Sequence, residues 1–167
     1  MRTLRAGAVA LLICGVHLLF APVVVAQSPV LVDELIETPV VTVGLASRFL
    51  FQVDNPGSGA EVSVSNEAAA VWAAETGLIQ RDVVADEIAS YAIVSRMVVE
   101  FIGISTSTMY RLTRSPRYAL RELSFRALVA PTVSADETMS GEQFMLLLAR
   151  SFDWREQYRS RDRKDST

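Results

Sequence analysis

The sequence predicts an all-α protein, a compact bundle of about five helices built from two full and one partial helix-loop-helix repeats of about 50 residues. The first observation behind this prediction is an internal repeat. Residues 83–90 read VVADEIAS, residues 133–140 read VSADETMS, and five of these eight positions are identical. A fixed period of this size is typical of repeat architectures. The second observation is that apolar residues recur at helical spacing after each copy, and once before them.

Three segments superimpose as equivalent helices, beginning at Thr42, Ser90 and Ser140, with spacings of 48 and 50 residues. Each opens with a hydroxyl that can accept a hydrogen bond from a free N–H of the first turn. Ser140 and Gln143 have the spacing of a capping box. The predicted core positions are Ala46, Phe49, Leu50 and Val53 in the first helix, Val94, Met97, Val98 and Phe101 in the second, and Phe144, Leu147 and Leu148 in the third.

A different helix is predicted before the second and third of these segments. The earlier one covers residues 66–78, with Asn66 as its cap and Gly77 positioned to take the left-handed turn that closes a helix. The later one covers residues 116–129 and begins with Pro116, whose missing N–H costs nothing in the first turn. The side chains expected to supply its apolar contacts are Tyr118, Leu120, Leu123, Phe125 and Leu128.

The remaining segments are shorter or irregular. Residues 31–37 offer only about one or two helical turns, which makes the first repeat partial. Residues 54–60 are rich in turn formers, and residues 61–65 are expected to be a short extended piece. Residues 103–115 form a longer connection in which an extra helical turn is expected near 109–112.

The N-terminus has the pattern of a secretory signal. Two arginines precede an apolar run, and a small-residue site ends at Ala26. We therefore expect residues 1–26 to be a cleaved signal peptide. A retained membrane anchor is the alternative, and a lipoprotein modified at Cys14 is a third option. Residues 27–152 would then form a single domain. The charged residues 153–167 are expected to form a disordered tail.

Cleavage would leave a chain without its only cysteine, Cys14, and without its only histidine, His17. Thiol nucleophiles, imidazole bases and the usual zinc ligands would then be absent. The sequence also contains no Gly-rich phosphate loop. We therefore predict a protein that is not an enzyme and that has no metal site and no cofactor.

Two pairs of carboxylates occupy equivalent positions in the repeated phrase, Asp86 with Glu87 and Asp136 with Glu137. As a catalytic pair they would need to face each other across a cleft with separated pKa values. The alternative is that acidic residues before a helix N-terminus are favoured by the helix dipole. Their duplication favours the architectural role.

A basic segment is the best candidate for a binding site. Residues 27–110 carry 3 basic and 11 acidic residues, whereas residues 111–167 carry 11 basic and 8 acidic residues. Arginine can bind carboxylate and phosphate groups through forked hydrogen bonds, and tyrosine offers a stacking surface. The candidate binding residues are Tyr110, Arg111, Arg114, Arg117, Tyr118 and Arg121. The alternative is an ordinary solvated surface.

The segment RELSFRALVAP, followed by SADETMSGEQFMLLLARSF, resembles the S-layer homology module. Residues 139–150 follow the second helix of that module closely, residues 72–79 and 88–96 follow it less closely, and the resemblance covers about residues 39–152. It implies three-sided packing of helical repeats and binding of an anionic cell-wall glycan. The family's glycan-binding arginine falls at Val43, Tyr91 and Gly141, none of which is charged.

The expected function is that of a non-catalytic exported module of the periplasm or cell envelope. It would bind or space an envelope component, either an anionic cell-wall polymer or an envelope protein. The alternative is a periplasmic protein–protein adaptor without glycan affinity, and an enzyme that uses acidic residues is the third possibility. Nucleic acid is not an expected partner of an exported acidic chain, and no stable membrane span is expected after signal cleavage.

Overall fold

The computed structural model describes residues 29–56, 64–104 and 106–165. The predicted signal peptide and residues 61–63 of the predicted extended piece lie outside these ranges. Within them the protein is all-α, as predicted, and two isolated antiparallel bridges join Thr42 to Ile88 and Ser90 to Thr138. The described helices are α1 (Pro29–Glu37), α2 (Val43–Asp54), α3 (Asn66–Glu75), α4 (Tyr91–Ile102), α5 (Thr108–Thr113), α6 (Pro116–Phe125) and α7 (Gly141–Asp165).

These seven helices exceed the predicted five because two short segments form complete elements. The N-terminal fragment, expected to be a turn or two, is the nine-residue helix α1. The extra turn expected near 109–112 is the six-residue helix α5, which Ser107 caps by accepting a hydrogen bond from the backbone N–H of Tyr110. In both cases burial against a neighbour stabilises a segment too short to be helical alone.

The capping predictions for the three equivalent helices agree with the structure. Thr42 accepts a hydrogen bond from the Leu45 N–H, and Ser90 accepts one from the Ile93 N–H. Ser140 and Gln143 exchange reciprocal hydrogen bonds of 2.9 and 3.3 Å, which is the geometry of a capping box. At α3 the prediction was displaced by one residue, because Ser65, rather than Asn66, supplies the capping hydroxyl.

Each of α2, α4 and α7 has a packing partner among the other helices. Helix α3 packs along α2, α6 packs along α4, and α1 packs against α7. The α4 helix also contacts both α2 and α7. The chain therefore closes on itself, because the first described helix covers the last one.

The same closure is visible in the backbone hydrogen bonds of the loops. The first two N–H groups of α2 donate to the carbonyls of Glu87 and Ala85. Those of α4, at Tyr91 and Ala92, donate to the carbonyls of Glu137 and Ala135. At α7 the Gly141 N–H donates to the carbonyl of Thr38, in the loop after α1. Each loop therefore satisfies N–H groups that would otherwise lack partners at a helix terminus.

One continuous apolar cluster fills the space between the helices. The predicted core residues Phe144, Leu147 and Leu148 are all buried, as are their counterparts Val94, Met97 and Val98. The rings of Phe49 and Phe144 meet edge to face with their centroids 5.9 Å apart, which joins α2 to α7. Phe125 contradicts the sequence prediction, since it is 89% exposed instead of packed in the core.

The last helix is longer than predicted. Residues 153–165, expected to be a disordered tail, continue α7 through Asp165. Trp154 and Tyr158 lie one turn apart and stack with their ring centroids 5.2 Å apart, and Arg155 donates to the Ile102 carbonyl. Pairs four residues apart stabilise a helix surface, and arginine and glutamate are good helix formers.

Helices α3 and α6 end with the same backbone geometry but with different residues. At α3 the Leu78 N–H donates to the Ala73 carbonyl at 2.8 Å, and at α6 the Leu128 N–H donates to the Leu123 carbonyl at 3.0 Å. This long hydrogen bond requires a left-handed residue before it. That residue is Gly77, with φ of 81°, in the first case and Ala127, with φ of 57°, in the second.

Exchanging these two residue types tests the equivalence of the turns. A left-handed φ destabilises the folded state by about 1–2 kcal/mol when the residue is alanine. Glycine avoids this strain, but it makes the unfolded chain more flexible and so offsets part of the gain in stability. We expect Ala127→Gly to raise the free energy of unfolding by about 0.5–1 kcal/mol, and Gly77→Ala to lower it by about 1–2 kcal/mol. Urea denaturation measures both, and destabilisation by Ala127→Gly would contradict the assigned strain.

Candidate functional site

The six candidate binding residues lie on the hairpin formed by α5 and α6. Arg114 lies between the two helices in a left-handed conformation, with φ of 51°, and its N–H donates to the Tyr110 carbonyl at 2.7 Å. Pro116 occupies the start of α6, as predicted, while Ser115 precedes it without a capping side-chain hydrogen bond. The hairpin distributes the six residues over four places.

Tyr110 is part of the core. Its side chain is buried, and its hydroxyl donates a hydrogen bond of 2.7 Å to Glu100 on α4. Burial, together with the hydrogen bond and negative charge of Glu100, raises the pKa of the Tyr110 phenol. The ring therefore anchors α5 to α4 and leaves no face for a ligand to stack upon.

Arg111 and Arg114 line a cavity of about 320 Å³ beside this anchor. Arg114 forms an ion pair with Glu100, and its guanidinium lies 5.9 Å from the centre of the Tyr110 ring. Arg111 is exposed. Because Glu100 is already bound by the Tyr110 hydroxyl and by Arg114, the charge that this cavity offers to a ligand is positive.

Arg117 points to another part of the surface. Its guanidinium lies 3.2 Å from a carboxylate oxygen of Asp136, and both side chains are largely exposed. Such an exposed pair contributes little to stability. One of the duplicated acidic residues is thereby placed next to the basic segment, a proximity that the sequence does not reveal.

Tyr118 and Arg121 line a larger groove between α5 and α6. The groove has a volume of about 690 Å³, and Met109, Phe125 and Arg126 contribute to its walls. The Arg121 guanidinium lies 5.9 Å from the centre of the Tyr118 ring. Such a cation–aromatic pair orients both side chains, and it leaves Arg121 exposed.

Glu122 closes the inner side of this groove. One of its oxygens accepts a hydrogen bond of 3.0 Å from the Ser107 N–H, and the other lies 2.8 Å from Arg126. Burial alone would raise the pKa of the Glu122 carboxyl, but the hydrogen bonds from Ser107 and Arg126 outweigh it and lower the pKa. Arg126 in turn lies 5.3 Å above the ring of Trp154.

Several residues that shape this surface are not among the six candidates predicted from the sequence. Glu100 and Glu122 hold the hairpin in place, and Phe125 and Met109 give it an apolar component. The spacing of Glu122 and Arg126 on one helix was the only available signal, because residues four apart meet on a helix surface. Glu100 lies on a different helix from its partners, so no local pattern indicates it.

The duplicated carboxylates lie in loops whose backbone contacts other helices. The backbone carbonyls of Glu87 and Glu137 accept hydrogen bonds from the first N–H groups of α2 and α4, and Asp86, Glu87, Asp136 and Glu137 all have exposed side chains. Across the described ranges, no cluster of three or more histidine, cysteine, aspartate or glutamate residues could hold a metal ion.

Comparison with protein-family models, curated proteins and solved structures found no match to this chain. In the part of the chain that the structure describes, no helix has the length and apolar character needed to cross a bilayer.

Proposed function

We propose that the chain is a non-catalytic, exported module of the cell envelope that binds or spaces an envelope component, foremost an anionic cell-wall polymer. The observation that carries this proposal is the charge of the α5–α6 hairpin. Arg111, Arg117 and Arg121 are exposed. The nearby carboxylates Glu100 and Glu122 are occupied by partners of their own, and Asp136 pairs with Arg117. Polymers that carry carboxylate or phosphate groups are the natural complement of such a surface.

The proposal includes an architecture of two full and one partial helix-loop-helix repeats resembling the S-layer homology module. In support, the loops before α2, α4 and α7 each accept N–H groups from a different helix of this set. The positions that match the family's glycan-binding arginine are buried residues, namely Val43, Tyr91 and Gly141. Any binding of an anionic polymer must therefore use another surface, and the α5–α6 hairpin provides one.

The alternative is a periplasmic adaptor that binds a protein without glycan affinity. It is favoured by the exposed apolar residues beside the arginines, since protein interfaces combine arginine with aromatic and methionine side chains. An enzyme that uses acidic residues remains the third possibility. For that role the duplicated carboxylates would have to act from exposed loops.

The test is cosedimentation with purified cell-wall sacculi that retain their anionic polymers. We expect binding that weakens as salt is raised, because the screening length falls to about 8 Å at physiological ionic strength. The triple variant Arg111→Gln, Arg117→Gln and Arg121→Gln should bind roughly tenfold more weakly at low salt, since each exposed charge pair contributes up to about 1 kcal/mol. Arg114 is left in place because it pairs with Glu100.

A matched control removes three exposed arginines elsewhere, through Arg81→Gln, Arg150→Gln and Arg159→Gln. It changes the net charge by the same amount and should bind nearly as well as the original chain. Equal weakening in both triple variants would mean that total charge alone governs binding. Unchanged binding in the first variant, with a normal melting curve, would assign the site to another surface and leave this hairpin as ordinary solvated surface.

A further inference from the structure

The α5–α6 hairpin also carries the most exposed large apolar residues of the described chain. Phe125, at the end of α6, is 89% exposed, and Leu112, near the end of α5, is 79% exposed. Single exposed apolar residues are normal, but a group of them on one surface marks an interaction site. Met109 and Tyr118 line the hairpin groove together with Phe125 and extend its apolar surface.

The direction of the two side chains follows from their helices. Tyr110 fixes the inner face of α5, and a residue two positions later lies about 200° around the helix, so Leu112 projects away from the bundle. On α6 the inner face is fixed by Ala119, Leu120 and Leu123, which leaves Phe125 and Arg121 on the outside. Both apolar tips therefore point outward from the same hairpin.

The charge around these tips selects an anionic partner. Residues 106–126 contain five arginines and one acidic residue, Glu122. Arg126 pairs with Glu122, Arg114 with Glu100 and Arg117 with Asp136, which leaves the exposed Arg111 and Arg121 to give the hairpin its positive charge. Arginine side chains can keep their charge at a polar boundary while their aliphatic stems contact apolar material. Exposed apolar side chains surrounded by arginine are therefore suited to a partner with a negatively charged surface and an apolar layer beneath it.

We infer that the α5–α6 hairpin docks on an anionic lipid surface, inserting Leu112 and Phe125 between headgroups while Arg111 and Arg121 contact the lipid phosphates. Apolar side chains of this kind bury at the boundary between headgroups and acyl chains, and basic residues add attraction to anionic lipids. This inference does not depend on the proposed wall-polymer binding, because it rests on the two apolar tips.

The positions of the tips favour a lipid surface over a bound peptide. Leu112 lies on α5, before the turn into α6, and Phe125 is the last residue of α6, a ten-residue helix about 15 Å long. A peptide in the groove would contact Met109, Tyr118 and Phe125, which line it, but not Leu112, which lies outside the groove lining. A lipid surface can receive both tips at once.

The test measures cosedimentation with vesicles of phosphatidylcholine alone and of equal parts phosphatidylcholine and phosphatidylglycerol. We expect binding to the anionic vesicles only, and a loss of at least about tenfold in partitioning for Leu112→Ser and for Phe125→Ser separately. The matched control combines Val71→Ser and Val84→Ser, which are exposed apolar positions outside the hairpin, and should partition normally. All variants are compared in the same form of the chain, so any contribution from residues 1–28 is common to them.

The outcomes separate this inference from its competitors and from the proposed function. No binding of the original chain to anionic vesicles, or equal binding by both serine variants and the control, overturns the lipid inference. Loss with Phe125→Ser but not with Leu112→Ser overturns it in favour of a peptide in the groove. Leu112→Ser should retain its affinity for wall sacculi because its arginines are intact. A negative result with vesicles therefore leaves the wall-polymer proposal standing, and a negative result with sacculi leaves the lipid inference standing.

Discussion

Replacing Gly141 by alanine is expected to lower the free energy of unfolding by about 3 kcal/mol or more, at the upper end of the range for overpacking. A Cβ atom at this position would overlap the carbonyl oxygen of Leu35 and lie 2.5 Å from its carbonyl carbon. These are backbone atoms of α1, so no change of rotamer can relieve the clash. Helix α1 would have to move away from α7, and the hydrogen bond from Gly141 to Thr38 would be stretched or broken.

The control for this prediction is Gly103→Ala. Gly103 has a positive φ of 69°, but a Cβ there would meet no atom within 4 Å. That variant should lose only the strain energy of a left-handed alanine, about 1–2 kcal/mol. Urea denaturation of the two variants should therefore rank Gly141→Ala as the more destabilised, and the reverse order would contradict the close approach of α1 to α7.

A double variant identifies the element that moves. Leu35 is fully buried in α1, so Leu35→Ala should loosen the same helix from the bundle. If both substitutions act by displacing α1, the double variant should lose less free energy of unfolding than the two single variants lose in total. The reason is that residues in contact are energetically coupled. Strict additivity would mean that Gly141→Ala acts through another part of the structure.

The sequence predicted the helices whose signals are local. Three helix starts were predicted from side chains that cap the first turn, namely Thr42, Ser90 and the Ser140–Gln143 pair. One helix end was predicted from Gly77, which adopts the left-handed conformation. The left-handed turn at Ala127 was not predicted because alanine carries no turn signal. The same turn forms there because the Leu128 hydrogen bond and burial fix it.

Long-range packing explains the larger differences. Helix α1 is short, and it is stabilised by the burial of Leu31 and Leu35 and by contact with α7, far along the chain. The C-terminal residues were expected to be disordered because they are charged, but charge patterning does not reveal the stacking of Trp154 on Tyr158 or the bond from Arg155 to Ile102. Helix propensity would have been the better guide there.

The sequence predicted which residues belong to the candidate site, but it did not predict how they are arranged in space. The basic segment was found from its arginines, yet Tyr110 is buried because Glu100 offers its hydroxyl an acceptor. Phe125 was expected in the core by its spacing on α6. The helix ends at this residue, and the chain then turns through Arg126 and Ala127 so that Leu128 takes the buried place. Whether Phe125 or Leu128 is buried depends on the residue at which α6 ends, and the apolar spacing of the sequence does not determine that residue.

Replacing Leu147 by alanine is expected to lower the free energy of unfolding by about 2–5 kcal/mol, through lost burial and an unfilled cavity. Leu147 is 4% exposed on α7, in the apolar cluster that also contains Phe49 and Met97.

The matched control is the adjacent Leu146→Ala, because Leu146 is 49% exposed and keeps the same residue type and helix. Its cost should stay near about 0.5 kcal/mol, as is usual for surface positions. Met145→Ala, at a half-buried position, should fall between the two. Urea midpoints measured for the three variants give the order directly, with Leu147→Ala unfolding first. Equal midpoints for Leu146→Ala and Leu147→Ala would mean that α7 presents a different face to the bundle. That result would contradict the packing of α7 against α1 and α4, on which the closure of the fold depends.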